Sequence, residues 1–559
     1  MPWKRKPRRM PLPCEAAIVL ALLCLCFFIG FYNWDDLFLS DTEAIMIRPV
    51  SEMMKQPPGK FQIPMISSGY TAGNVLLIPF MAFFEDPGLA HKLGQSIFAA
   101  LGLLFTYLFT RKMFGIAASV PAAALMAAVP TYALANDPEG PFLAFLSALF
   151  LYVGACYYLH RSKASLYAAA WLLGFMFFYK LIFAYTAFAF AAAFWALEGR
   201  RHGLKRTGIG RKDAAVCGAL FLVGLLPFLV FNFLPDSLGG SCCATENGSM
   251  PAVVRAALSM FQATGNDYNI LAIIPNIITR CSQLLVIASE ESMIEADFTF
   301  QELGLGGCFL LVALILIAFK RERRWVFLAL ALAAFTITAI FVTKDLNATH
   351  WFAIFPVISV VRAYPFMMGF RIRGRTLKLA AIMLAALFSA GLIADVRMML
   401  TYDDQKFVER HLRDKAIFNR ELLAEIGNAK TVVGVMDLGT AWKIYLKPSV
   451  KHLHAVELCP RWAGSGCDEE TESFKEEFHA MTREYPVVYV LPSPDRVETP
   501  DFLPYIFSCP AGPGNKTDCG VFYEEFGKLL GTEGKSLMER GKVYDRTTGQ
   551  PVWTVYYAE

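Results

Sequence analysis

The sequence is poor in charge and in repetition. Asp, Glu, Lys and Arg make up 18 % of its 559 residues, and a formal net charge of +4 gives no reason to expect a nucleic-acid partner. There is no internal repeat and no low-complexity tract, which weighs against a transporter assembled from repeated halves. No small-residue cleavage site separates the N-terminal apolar run from the acids that follow it, so that run reads as an uncleaved first helix and not as a signal peptide. What the chain has in excess is apolar surface, with 55 % hydrophobic residues and a mean hydropathy of +0.43. Gathered in long runs, that composition excludes a soluble globular protein and predicts a multi-span α-helical membrane protein.

Runs of about 17–21 residues, enough to cross roughly 30 Å of hydrocarbon, predict spans near 14–32, 93–110, 114–132, 140–159, 214–234, 303–319, 325–343, 351–369 and 378–396. VLLIPFMAFF (75–84) is too short to span and reads as an interfacial or re-entrant piece of a long outer loop, 33–92. The run 165–198 is flanked on both sides by basic segments, HRSK (160–163) and GRRHGLKRTGIGRK (199–212), so both its ends are expected in the cytoplasm. It must then cross an even number of times, as two short helices with Lys180 near the outer turn. The competing reading is one long tilted helix with Lys180 snorkelling. With the pair, the chain has about eleven spans, and the basic segments 4–9, 111–112, 161–163, 200–212, 320–324 and 362–378 all fall inside. Arg362, within the tenth span, is expected to snorkel inward.

Beyond residue 397 the composition becomes that of a soluble domain on the outer face. TVVGVM (431–436), PVVYVL (486–491) and VWTVYYA (552–558) read as strands and 403–427 as a helix, an α/β arrangement. Cys459, Cys467, Cys509 and Cys519 form an even set in an oxidising compartment, consistent with two disulfides whose pairing the spacing leaves open. His452 and His454 alternate as on one strand face, and metal binding there is the weaker reading.

The chemistry-bearing residues collect in the outer loops. WDDLFLSDTE (34–43) places four carboxylates, Asp35, Asp36, Asp41 and Glu43, directly after the first span. Ser40 and Glu43 fit a capping box, and Asp41 favours a helix N-terminus, so a purely structural role stands beside a catalytic one. In ALANDPEGPF, Asp137 and Glu139 form a D-x-E pair able to ligate a hard divalent cation such as Mg²⁺ or Mn²⁺. Helix capping by Asp137, with Pro138 at the first helical position, accounts for the same residues. What favours a functional role over capping is the arrangement, two acidic clusters on the same outer face with Lys180 on an outer turn.

This arrangement resembles the GT-C membrane glycosyltransferases, among them the protein O-mannosyltransferases and the aminoarabinose transferases acting on lipid A. The resemblance covers residues 14–200, with weaker support to 396. It rests on SDTEAIMIRPVSEMM followed by GKFQIP (59–64), on FTYLFTRKMFG (105–115), NDPEG, GFMFFYKLIF (174–183) and HWFAIFP (350–356). The family's acidic pair is adjacent, whereas here Thr42 separates Asp41 from Glu43, and Asp35 and Asp36 match the Asp-Asp pair of other members. The tryptophan-rich acceptor motif of oligosaccharyltransferases is absent. The resemblance implies inverting transfer of a sugar from a polyprenyl-phosphate carrier to a hydroxyl acceptor on a lipid, glycan or protein. It also implies Asp41 as the base, with Glu43, Asp36 and Asp35 following, and Lys180 with His350 at the donor phosphate. The expected setting is a bacterial inner membrane, with the site and the C-terminal domain on the periplasmic face. The rival functions are a flippase for lipid-linked sugar, which would carry ionisable residues near the bilayer midplane, and a non-catalytic assembly protein.

Overall fold

A computed structural model of the chain describes residues 12–31, 75–84, 86–127, 140–180, 182–199, 209–233, 305–342 and 348–371. It also describes the strand residues 431–434, 451–454, 487–492, 537–544 and 551–558, with a few isolated positions elsewhere. Two compact units are present, Met1–Tyr32 with Glu52–Thr401, and Asn33–Ser51 with Tyr402–Glu559. The acids at 35–43 and 137–139, the apolar run 378–396, the four C-terminal cysteines and most of 403–427 lie outside the described residues.

The first unit is helical. Its described helices are α1 (Leu12–Phe31), α2 (Ile78–Phe83), α3 (Pro87–Phe114), α4 (Ile116–Ala127), α5 (Gly140–His160), α6 (Lys163–Tyr179) and α7 (Ile182–Phe194). They continue with α8 (Arg211–Phe233), α9 (Leu305–Lys320), α10 (Arg323–Val342), α11 (Phe355–Arg362) and α12 (Tyr364–Arg371). Among the described residues three helices are long and apolar enough to cross a membrane, and five shorter apolar helices accompany them. The short run at 75–84 is a 3₁₀ turn (Val75–Leu77) leading into the six-residue α2, whose Phe83 is 84 % exposed, in keeping with an interfacial piece.

Helix α3 begins earlier than apolar length alone predicts. Asp86 is its N-cap, accepting from the backbone N–H groups of Gly88 (2.8 Å) and Leu89 (3.1 Å), with Pro87 at the first helical position. It runs parallel to α5. Phe98 packs tilted against Phe142 (4.8 Å) and Phe105 against Tyr152 (5.7 Å), and the Lys112 Nζ lies 3.1 Å from the Cys156 Sγ. At the same end Arg111 and the Tyr107 hydroxyl donate to the buried Glu15 of α1, Arg111 through a second bond of 3.0 Å as well.

The segment 165–198 is two helices, not one. Helix α6 stops at Tyr179, Lys180 is extended (φ −160°, ψ 134°), and α7 restarts at Ile182. Lys163 at the start of α6 pairs with Asp213 at the start of α8 (2.9 Å), while Arg323 at the start of α10 donates to the Leu197 carbonyl just past α7 (3.4 Å). Arg324 donates to the Met113 carbonyl at the end of α3. Both ends of the pair therefore return to one basic end of the bundle, as positive flanks on each side demand. The hydrogen bond from Lys163, followed by that from the Tyr167 hydroxyl, holds the Asp213 carboxyl below the usual carboxylate range.

The two helices of this pair splay apart. Helix α6 lies along α8, and α7 along α10, where Phe190 stacks on Phe327. The α6–α8 crossing is a backbone contact made by glycine. A Cβ on Gly174 would sit 2.0 Å from the Phe221 carbonyl oxygen, and one on Gly224 would sit 2.2 Å from that of Trp171. Gly224→Val is therefore expected to lower stability by about 1–3 kcal/mol or more, because neither backbone can yield. Gly218→Ala, which meets open space, should be neutral or gain up to ~1 kcal/mol from helix propensity. Thermal melting of the two variants in detergent checks the pair, and equal melting would remove the close crossing.

Two connectors at the basic end share a design. Arg161 (φ 55°) closes α5 and Arg321 (φ 51°) closes α9, both in left-handed backbone, with N–H bonds of 2.8 Å to the Tyr157 and Ile317 carbonyls. The residue after each, Ser162 or Glu322, begins the next helix. The expected span 351–369 is broken into a 3₁₀ segment (Ala348–Ala353), α11 and α12. Arg362, expected to snorkel to an interface, is instead wholly enclosed. Helix α11 is buried along its full length, so a side chain at its last residue has packed helix on every side.

The second unit contains a five-stranded sheet in the order β2-β1-β3-β5-β4, from β1 (Thr431–Gly434), β2 (Lys451–His454), β3 (Val487–Pro492), β4 (Leu537–Tyr544) and β5 (Pro551–Ala558). Strands β2, β1 and β3 are parallel, and β5 and β4 add antiparallel strands at one edge. β-Branched and aromatic residues carry β1, β3 and β5, as the sequence predicts. His452 and His454 lie in β2, in register with Val432 and Gly434.

Candidate functional site

The end of the bundle opposite the basic connectors is organised around Phe142, in the first turn of α5. Its ring meets Phe98 of α3 at 4.8 Å and Tyr179 of α6 at 6.3 Å. Two residues earlier, Gly140 lets the Phe352 ring close in, and a Cβ there would lie 2.7 Å from it. Ser147 donates to the Ala353 carbonyl, fixing the 3₁₀ segment against α5. Trp351, fully buried, packs against Phe335 of α10 at 5.3 Å. One aromatic hub thus joins α3, α5, the α6–α7 break and the 3₁₀ segment.

Two of the residues predicted for a phosphate site are chain neighbours of aromatic residues packed here. Lys180 follows Tyr179 directly and is 6 % exposed, and His350 precedes Trp351 in the 3₁₀ segment. The break that exposes the Lys180 backbone is closed by its own bonds, N–H to the Met176 carbonyl at 3.0 Å and carbonyl to the Phe183 N–H at 3.1 Å. Lys180 is thus enclosed at the point where one helix stops and the next begins.

Four polar residues that pattern reading passes over stand at the same end. His91, Lys92, Gln95 and Ser96 of α3 are all buried. His91, Gln95 and Phe98 follow helical spacing (i, i+4, i+7), which puts the two polar side chains on the face that carries Phe98 to Phe142. The signal was present in the Asp86-Pro87 start, since it places AHKLGQS inside the helix and not in the loop before it. The six carboxylates, Asp35, Asp36, Asp41, Glu43, Asp137 and Glu139, lie outside the described residues. Among the described residues no group of three His, Cys, Asp or Glu side chains is placed to hold a metal ion.

Residues 73–231 match the family described as dolichyl-phosphate-mannose-protein mannosyltransferase. The crystal structure of ArnT from Cupriavidus metallidurans in the apo state is similar with a TM-score of 0.54 at 12 % identity, over 98 % of this chain and 98 % of that one. ArnT from the same organism bound to undecaprenyl phosphate gives 0.55 at 12 % identity, again over 98 % of each chain. The chain shares the fold of these two ArnT structures. An oligosaccharyltransferase of Archaeoglobus fulgidus, in complex with Zn and sulfate, aligns at 14 % identity with a TM-score of 0.45, over 78 % of this chain and 62 % of that one. No curated protein matches in sequence. The mannosyltransferase match contains α3, α5 with Phe142, and Lys180, and leaves out the 3₁₀ segment that carries His350.

Proposed function

We propose that the protein transfers a sugar from a polyprenyl-phosphate carrier to a hydroxyl acceptor on a lipid, glycan or protein, at the outer face of the membrane. The observation that carries this reading is the burial of Lys180 at a helix break on the aromatic hub, beside the segment bearing His350, in a chain with the GT-C fold. Asp41 is the base, with Glu43, Asp36 and Asp35 as the neighbouring acids. The carboxylate takes the acceptor O–H proton as the oxygen attacks the anomeric carbon. The bond from that carbon to the phosphate oxygen breaks with inversion, and the carrier phosphate leaves with the electron pair. Lys180, with His350, neutralises the charge that develops on that phosphate. Asp137 and Glu139 are the ligands proposed for a divalent cation, Mg²⁺ or Mn²⁺, and no step above requires it.

The positive ends of α3, α5 and α9 and the positive starts of α6, α8 and α10 support placing the opposite, Lys180-bearing end outside. In a bacterium that end is periplasmic in the inner membrane. The test is mass analysis of lipid-linked sugars and glycans from cells with and without the protein, together with transfer by the purified protein with and without chelator. Loss of one glycan with accumulation of its lipid-linked donor is the expected result. An unchanged pattern in both pools would overturn the reading, and transfer that survives chelation would remove the cation.

A further inference from the structure

A cavity lies at the basic end of the bundle. It holds about 240 Å³ between the last turns of α3, the second half of α5, the end of α7 and the first turns of α10. Its walls are Phe109, Phe150, Phe190 and Phe327 with other apolar side chains, and Gly154 leaves a gap in the α5 wall that nothing fills within 4 Å of where a Cβ would stand. Only two charged residues line it, Arg323 and Arg324, both exposed, and no acid does. Arg324 donates to the Met113 carbonyl at 2.6 Å, one of the five N–H groups a guanidinium carries. Around them the connector reads KRERR (320–324), four cations to one acid.

An apolar channel with cations at one end has the polarity of a single-tailed insertion: hydrocarbon along the walls, an anion at the mouth. We propose that this groove binds an anionic phospholipid of the inner leaflet, one acyl chain entering past Gly154 and the phosphate held by Arg323 and Arg324. A soluble anion would leave the aromatic walls wet, and a zwitterionic lipid would bring its own cation to the arginines. The site lies some 12 residues along α5 from the aromatic hub, about 18 Å, and it is separate from the donor site. The inference rests on the bundle residing in a membrane and not on sugar transfer.

The test uses the full chain in detergent, stripped of lipid and then given dioleoyl phosphatidylglycerol or dioleoyl phosphatidylcholine, with bound lipid read by native mass spectrometry. Phosphatidylglycerol should be preferred about thirtyfold, the scale of two surface cations acting on one phosphate. Gly154→Phe, whose Cβ would meet nothing within 4 Å, puts a ring into the groove and should lower bound phosphatidylglycerol about tenfold with the melting temperature preserved. Arg323→Gln with Arg324→Gln should reduce the preference to near one. Because Arg324 also caps α3, the glycine variant stands as the independent reading. Equal binding of both lipids by the wild type, or full retention of phosphatidylglycerol by Gly154→Phe, would overturn the proposal.

Discussion

Replacing Asp41 by Asn is expected to abolish sugar transfer, a fall of roughly 10²–10⁴ in rate, while the protein remains folded and inserted. The amide has the shape of the carboxylate but cannot take the acceptor's proton. A capping acid behaves differently, because Asn is itself a good N-cap and the exchange costs only a few tenths of a kcal/mol or so. Asn at Asp35, Asp36 and Asp137, and Gln at Glu43 and Glu139, therefore separate chemistry from helix capping when transfer is measured side by side. Should all six variants transfer within a few-fold of wild type, the first-loop acids are solvation and caps, and the mechanism fails.

Lys180→Met is expected to cost about 10²–10³ in transfer, the scale seen when one preorganised charge-stabilising donor is removed. Met matches the length of the lysine stem and tolerates irregular apolar surroundings. Exchanging a buried cation for an apolar residue of similar volume is often neutral or stabilising for the fold, so melting should be preserved while transfer is lost. Lys180→Arg keeps the charge and should retain part of the rate. The informative readout is the split between donor affinity and turnover: a phosphate ligand acting on the leaving group lowers turnover more than it weakens donor binding. Full activity in Lys180→Met would place the leaving-group cation elsewhere, with buried Lys92 as the next residue to exchange.

The helices of the bundle were legible because a membrane span is a length of apolar chain, and the break at Lys180 was legible because charge on both flanks left no single crossing. Other features depend on contacts that no window of sequence contains. The start of α3 at Pro87 is masked because its first turns are too polar to extend the apolar run, and the buried His91, Lys92, Gln95 and Ser96 are masked with it. The interruption of 351–369 at Ile354 and Ala363 follows from packing of the 3₁₀ segment onto α5 through Gly140 and Ser147, which lie about two hundred residues away. Strand β4, LMERGKVY, carries charges and a glycine that mask its strand pattern, and only pairing with β5 draws it into the sheet. Lys180 stood out as a lone charge in an apolar run and His350 through the resemblance of HWFAIFP, but the aromatic hub that links their segments is invisible without the fold.

The arginines at the two left-handed turns, Arg161 and Arg321, carry a backbone that glycine would adopt more easily, a difference of about 1 kcal/mol at each position. In the finished bundle glycine would serve those turns better. Their charge acts earlier, while helix pairs are being threaded into the bilayer and nothing has yet packed, because a basic residue at a turn then biases which side keeps it. The same two residues thus draw on folded stability and on the fidelity of insertion in opposite directions. At those turns a melting curve and a topology map of newly made chains would rank one substitution in opposite orders.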